Sequence, residues 1–307
     1  MKLQFLIAAS PSAAFCSQIA MFKLGLDHLG PPYSTARLTA IFGDAEITEL
    51  PADWAPHLQG VEAVFVEPAD FVRYNAFAQG DMRFELVDRD ADVVLMFDAD
   101  TLLLRPIPEL LAQSLAKPAL RGVIAHRSPF NLGGSWEEVG AAFLDAPLEL
   151  DHHYELEYQK VDGVLRRVST PFYINQGVMC ATPEVFLDLG PKMRALRRAF
   201  IERWPEQLMF SSQIALTLAF IKHGIPHEAI PMRYNFANRV READIQYPDE
   251  LKQIAVLHYQ ELSRYDRHKI FTTRDQFDSF LALELEGSHR VFQDHVRLLT
   301  GGQYPFS

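Results

Sequence analysis

The sequence predicts a layered α/β protein whose central sheet is mostly parallel and buried on both faces. Three observations predict it. Apolar runs of strand length recur at Leu3–Ala9, Arg37–Phe42, 61–66 and 92–97. Helix-period segments lie between them, and Gly or Pro closes most of the runs. A sheet covered on both faces needs strands that are apolar throughout rather than alternating, and residues 92–97 are almost wholly so.

The first run ends at Ser10-Pro11-Ser12, which offers a helix start. Ile19, Phe22, Lys23, Leu26 and Leu29 then recur at helical spacing until Gly30-Pro31-Pro32 stops them. Gly43-Asp44 closes the second strand and Glu67-Pro68 the third, and residues 75–87 read as helix before the fourth. From 121 to 170 the pattern weakens around Gly133-Gly134, Pro147 and Asp151-His152-His153, which marks an inserted region. Residues 172–181 return as strand, and Pro183 opens a helix to 204. Ser211–His223 is a strongly apolar helix stopped by Gly224. Short strands are expected at 229–234 and 254–259, and helices rich in Phe and Leu over 272–299. Composition never shifts sharply, so one large domain is expected.

With 307 residues, 48% of them apolar, the chain can bury a core without disulfides or structural zinc. A formal net charge of −11 argues against nucleic acid as a partner, because phosphate backbones need clustered Lys and Arg. It does not argue against a nucleotide, whose diphosphate one metal ion or a few local cations can neutralise. Cys16 and Cys180 sit in apolar stretches and read as buried free thiols, which suits a reducing cytoplasm. Met1-Lys2 and the run after it imitate a signal peptide, but the run is short and Pro11 ends it. No segment approaches the ~20 apolar residues that span a bilayer.

The sharpest local signal is Val93-Val94-Leu95-Met96-Phe97-Asp98-Ala99-Asp100. Apolar strands of open α/β sheets deliver their C-terminal residues to the ligand crevice. Two carboxylates one residue apart there can converge on a hard cation such as Mn²⁺ or Mg²⁺, which bridges a diphosphate. Alone, the pair could as well cap a turn. A second apolar run, Ile254-Ala255-Val256-Leu257-His258-Tyr259, ends in a histidine that would complete a two-carboxylate, one-imidazole set.

Together these pieces resemble the GT-A fold glycosyltransferases, in layout the retaining family 8 group of galactosyl-, glucosyl- and glycogenin-like enzymes. The matching segments run in the same order along the chain. They are Phe5 to Ser10, Arg83, Asp98-Ala99-Asp100, Tyr173-Ile174-Asn175-Gln176-Gly177-Val178-Met179, Ser212-Gln213, Arg233-Tyr234-Asn235 and Leu257-His258-Tyr259. The resemblance implies a metal-dependent hexosyltransferase with a UDP-sugar donor and a saccharide or glycan acceptor. It implies a catalytic domain over 1–271 with an acceptor-side insertion at about 121–170, and a helical extension at 272–307. That extension is expected to pack on the core; a membrane surface or a second copy are the other partners its apolar face suits.

The resemblance also assigns residues. Asp98, Asp100 and His258 would hold Mn²⁺ or Mg²⁺. Ala8 and Ser10 would lie against the nucleoside, and Arg83 would face donor oxygens. Asn175 and Gly177 would border the sugar pocket, and Gln213 would sit beneath the anomeric carbon. Arg264, with Lys269 as substitute, would clamp the diphosphate. Catalysis would fall to Asp100, Asn175 and Gln213. Two positions depart from the pattern. Ser212 stands where the family has Asp, and Glu261 lies where its late motif carries Gly. Retention and inversion therefore both stay open. Inversion needs a base, and Asp145, Glu149, Asp151, Glu155 and Asp162 are the carboxylates of the insertion.

Three other readings compete. A sugar-nucleotidyltransferase opens with a Gly-rich loop and a basic pair, which Ala8-Ala9-Ser10-Pro11-Ser12 lacks. A phosphatase with Asp-x-Asp places that motif after its first strand, whereas here three strands precede it. A degenerate fold that binds sugar or protein without turnover is the reading that Ser212 favours.

Overall fold

The computed structural model describes residues 1–130, 133–239 and 241–306. The chain opens with β1 (Leu3–Ala9), α1 (Ala13–Leu29), β2 (Arg37–Phe42), β3 (Val61–Phe65), α2 (Pro68–Tyr74), α3 (Phe77–Glu85) and β4 (Val93–Asp98). It continues with β5 (Thr101–Leu103), α4 (Pro108–Ala116), β6 (Leu120–Ile124), α5 (Trp136–Phe143), β7 (His152–Val161), β8 (Val164–Thr170) and β9 (Ile174–Ala181). α6 (Pro183–Arg203), α7 (Ser211–His223), β10 (His227–Ala229), β11 (Phe236–Ala237), α8 (Arg241–Gln246) and α9 (Pro248–Leu251) follow. β12 (Val256–His258), α10 (Arg274–Leu281) and α11 (Gly287–Thr300) complete it.

Seven strands form the main sheet in the order β10-β6-β9-β4-β1-β2-β3. All run parallel except β9, which is antiparallel to both neighbours. The C-terminal ends of β1, β4 and β6 and the N-terminal end of β9 therefore share one edge. Val93 to Phe97 are fully buried, as a strand with helices on both faces must be. Phe5, Phe22 and Phe97 meet edge to face beneath that edge, with ring centroids 5.5–5.6 Å apart.

The C-terminal helices join this core. Phe277, Phe280, Phe292 and Val296 belong to the same apolar cluster as Phe5 and Phe97. No helix among the described residues is long and apolar enough to cross a membrane. Cys16 and Cys180 are free and buried, and burial pushes both thiols up to about 11.

Three expectations needed correction. The helix read over 75–87 is shorter, Phe77–Glu85, and Asn75, in the left-handed region at φ 51°, separates it from α2 before it. The strand read over 229–234 ends at Ala229, and Pro231 instead starts a 3₁₀ turn at Met232–Tyr234. The region from 121 is not wholly an insertion: β6 is an inner strand of the main sheet, and what departs from it is α5 and the β7–β8 hairpin. Tyr154 and Leu156 alternate inward along β7, a period-two signal that Asp151-His152-His153 obscured.

Candidate metal and donor site

The two carboxylates and the late histidine meet because the chain changes sheets between them. β4 ends the main sheet at Asp98, and Thr101 turns the chain by donating its hydroxyl to the Asp98 carbonyl at 2.7 Å. β5 then enters a second sheet of order β11-β12-β5, where His258 pairs with Thr101. The Tyr259 amide donates to the Asp100 carbonyl at 2.9 Å, which fixes the crossing. His258 Nε2 consequently lies 3.2 Å from Asp100 Oδ1 and 3.8 Å from Asp98 Oδ2. One ligand atom from each of the three residues lies within 4.8 Å of the others.

The imidazole is held by its other nitrogen. Nδ1 lies 3.0 Å from Asn235 Oδ1, and donation there leaves Nε2 turned toward the carboxylates. Asn235 Nδ2 donates to Asn175 Oδ1 at 3.2 Å, and the Gly177 amide donates to that oxygen at 2.8 Å. Gly177 leaves room for the ring: a methyl there would stand 2.4 Å from His258 Cε1. Asn175 and Gly177 thus sit behind His258, and Asn175 also lines the neighbouring cleft.

Charge is concentrated here. Burial opposes ionisation of Asp100, but His258 and Arg267 outweigh it and hold the carboxyl below its usual value. Burial lowers His258, yet the Asp100 charge and hydrogen bond carry it above the ordinary histidine value. Arg267 Nη1 donates to Asp100 Oδ2. Arg83 projects from α3, 8% exposed, with Nη1 3.9 Å from Asp98 Oδ1. Its Nε and Nη1 make no hydrogen bond among the described residues. A buried guanidinium with unused donors is costly on its own and suits an anionic ligand.

These features fit a divalent cation. Two carboxylates and an imidazole can together hold a divalent metal ion, and the second shell that orients such an imidazole is present. Arg267 already places positive charge beside Asp100, where an ion would add more.

Ala8 is the partner of Asp98 across the β1–β4 pair, and Ser10 follows the strand end, so both border the crevice beside the carboxylates. On the other side of β4 a cleft of about 500 Å³ opens over β9 and β6. Asn175, Gln213 on the first turn of α7, Gln260, His126, Arg127 and Arg239 line it. Gln260 ties it to the metal group, its amide 3.1 Å from His258 Nε2.

Arg264 and Lys269 are not brought to the carboxylates. Arg264 lines a separate cleft with Asp244 and His289, and Lys269 pairs with Asp266 at 3.1 Å on the surface. Arg267 occupies the place expected of them. The cause is Glu261, whose carboxylate accepts from the amides of Leu262, Ser263 and Arg264 and so curls the loop. The five insertion carboxylates also lie elsewhere. Glu155 is engaged by Tyr247 and Arg167, Asp162 turns the hairpin, Glu149 and Asp151 line another cleft, and Asp145 follows α5. Sequence reasoning missed Arg267, Gln260, His126, Arg127 and Arg239. The signal for His126 and Arg127 was the end of β6, which had not been read as a strand.

No family model and no curated protein matches the sequence. Solved structures do. The galactosyltransferase LgtC, solved with donor and acceptor sugar analogs, is matched with a TM-score of 0.53 at 16% identity, over 84% of this chain and 87% of that one. The glycosyltransferase GlyE of Streptococcus pneumoniae TIGR4 is matched with a TM-score of 0.52 at 14% identity, over 99% of this chain and 65% of that one. Both are glycosyltransferases, and the layered sheet that carries Asp98 and Asp100 to its edge is the one they share. This chain has the fold of the GT-A glycosyltransferases.

Proposed function

We propose that this protein is a glycosyltransferase that moves a hexose from a UDP-linked donor to a saccharide or glycan acceptor, with Mn²⁺ or Mg²⁺ held by Asp98, Asp100 and His258. The convergence of those three side chains from two sheets carries the reading. Bound there, the ion would neutralise the diphosphate and stabilise its departure.

The chain's own residues supply the rest. Ala8 and Ser10, small and beside Asp98, suit backbone contacts to base and ribose. Arg83 suits the donor oxygens nearest Asp98 and needs no reorganisation as charge develops. Arg267, already on Asp100, takes the diphosphate role first given to Arg264 and Lys269. Asn175 and Gly177 hold the His258 ring and close the sugar end of the crevice, and Gln213 faces the anomeric carbon from the mouth of α7. Among the described residues none that lines the Gln213 cleft is a carboxylate, which favours same-face attack by the acceptor and hence retention. The free, buried Cys16 and Cys180 support a reducing, cytoplasmic setting.

Calorimetric titration with UDP, with and without Mn²⁺, tests the reading. Binding strengthened by the metal in wild type and lost in Asp100→Ala is expected; equal binding in all cases would overturn it. A second reading, a sugar-binding protein of the same fold without turnover, is favoured by Ser212. Donor hydrolysis separates the two: a transferase shows slow metal-dependent release of UDP that Asp100→Ala abolishes.

A further inference from the structure

The cleft over β9 and β6 is unusual for this chain in its charge. Forty acidic residues outnumber 29 basic ones in the sequence, yet Arg127 and Arg239 line the cleft and, among the described residues, no carboxylate does. Both arginines are exposed. Neither makes an ion pair or a side-chain hydrogen bond among the described residues, whereas Arg37, Arg121, Arg167, Arg194, Arg197 and Arg233 are all paired. Two unpaired guanidiniums on one concave wall repel each other, and a bound anion relieves that repulsion while accepting forked hydrogen bonds.

Position says which ligand brings the anion. Ala8, Asp98 and Arg83 gather at the ends of β1 and β4, where the donor diphosphate belongs. The arginine cleft lies over β9 and β6 on the far side of β4, with Gln213 and Asn175 on its wall and Gln260 next to His258. Phe210, half-buried, adds flat apolar surface of the kind sugar rings stack on. We propose that Arg127 and Arg239 form an anion subsite for the acceptor, which is a saccharide bearing a carboxylate or phosphate next to the glycosylated unit.

The proposal rests on the transferase reading. Wild type, Arg127→Gln, Arg239→Gln and the double variant, each loaded with UDP and Mn²⁺, would be titrated calorimetrically with trigalacturonate, a phosphorylated trisaccharide and maltotriose. At least tenfold tighter binding of one charged ligand than of maltotriose is expected, shrinking with added NaCl and lost in the double variant. The charged ligand that binds tells carboxylate from phosphate. Equal binding of charged and neutral ligands to wild type overturns the subsite. So does a double variant that weakens UDP instead, since the arginines would then serve the donor. If UDP fails to bind any form, the transferase reading falls separately, and the charged ligands titrated into the unloaded protein still decide the subsite. Both side chains are exposed, so unchanged melting temperatures are expected to show that the variants fold.

Discussion

Gly177 and His258 are packed so closely that the glycine has no room for a side chain: an added methyl would meet Cε1 at 2.4 Å and Nδ1 at 2.6 Å. The backbone of β9 is thus the floor on which the imidazole lies. Gly177→Ala is expected to tilt the ring off Asn235 and Asp100. Affinity for Mn²⁺ should fall about 10–100-fold, the range for losing a group that orients a metal ligand. Manganese titration followed by electron paramagnetic resonance measures this, and unaltered affinity would show that the ring has space the geometry denies it.

Arg83 predicts opposite effects on stability and binding. Burial pulls its pKa down, with Asp98 and Asp81 opposing, and two of its nitrogens lack partners. Asp81 itself is taken by a bidentate pair with Arg197 at 2.6 Å. Arg83→Met should therefore raise the melting temperature of the unliganded protein and weaken UDP at least tenfold, because the charge is retained for a ligand rather than for the fold. Calorimetry on the free and UDP-loaded variant reads both.

His295 sets an acid limit. Burial, then His28 and Arg105, lowers its pKa from 6.5 to about 4, and its Nε2 has no partner among the described residues. The unfolded chain takes up this proton near 6.5 and the folded chain only near 4. Stability from this group is therefore full above 6.5 and declines as pH falls from 6.5 to 4, by up to about 1.4 kcal/mol per pH unit. Urea unfolding across that window should show a shallower slope in His295→Gln. An identical slope would place the proton elsewhere.

The core beneath the site predicts a plain stability effect. Phe97 touches Phe5 and Phe22 edge to face and is fully buried one residue before Asp98. Phe97→Ala should cost about 3–5 kcal/mol in denaturant unfolding. A loss below about 1 kcal/mol would mean that the cluster collapses into the gap.

Much of this was legible in the residues because it is local. The strand before Asp98 is read from six consecutive positions, and the helix stops at Gly30 and Gly224 from chemistry at those glycines. His258 was legible as a strand-end histidine, but its distance of 158 residues from Asp100 meant only a resemblance could join them. What sequence could not supply was the loop after Glu261. Which of Arg264, Arg267 and Lys269 reaches Asp100 depends on the curl that Glu261 imposes, and no periodicity reports a curl. Likewise β6 is five residues long and contains Arg121 and Gly122, so its pattern is broken by its own members. Arg121 is tolerated in the core because Glu228 of the neighbouring β10 pairs with it at 2.7 Å.

The change of sheet at Ala99 has a mechanical meaning. Asp98 belongs to the seven-stranded sheet and His258 to the three-stranded one, with Asp100 at the seam. Any ligand grasped by all three works as a rivet through two plates. Its binding energy is added to their cohesion, by RT ln(1 + [L]/Kd), and the small sheet becomes the part whose stiffness reports occupancy. Hydrogen exchange along β5 and β12 should slow on loading while the centre of the main sheet stays unchanged.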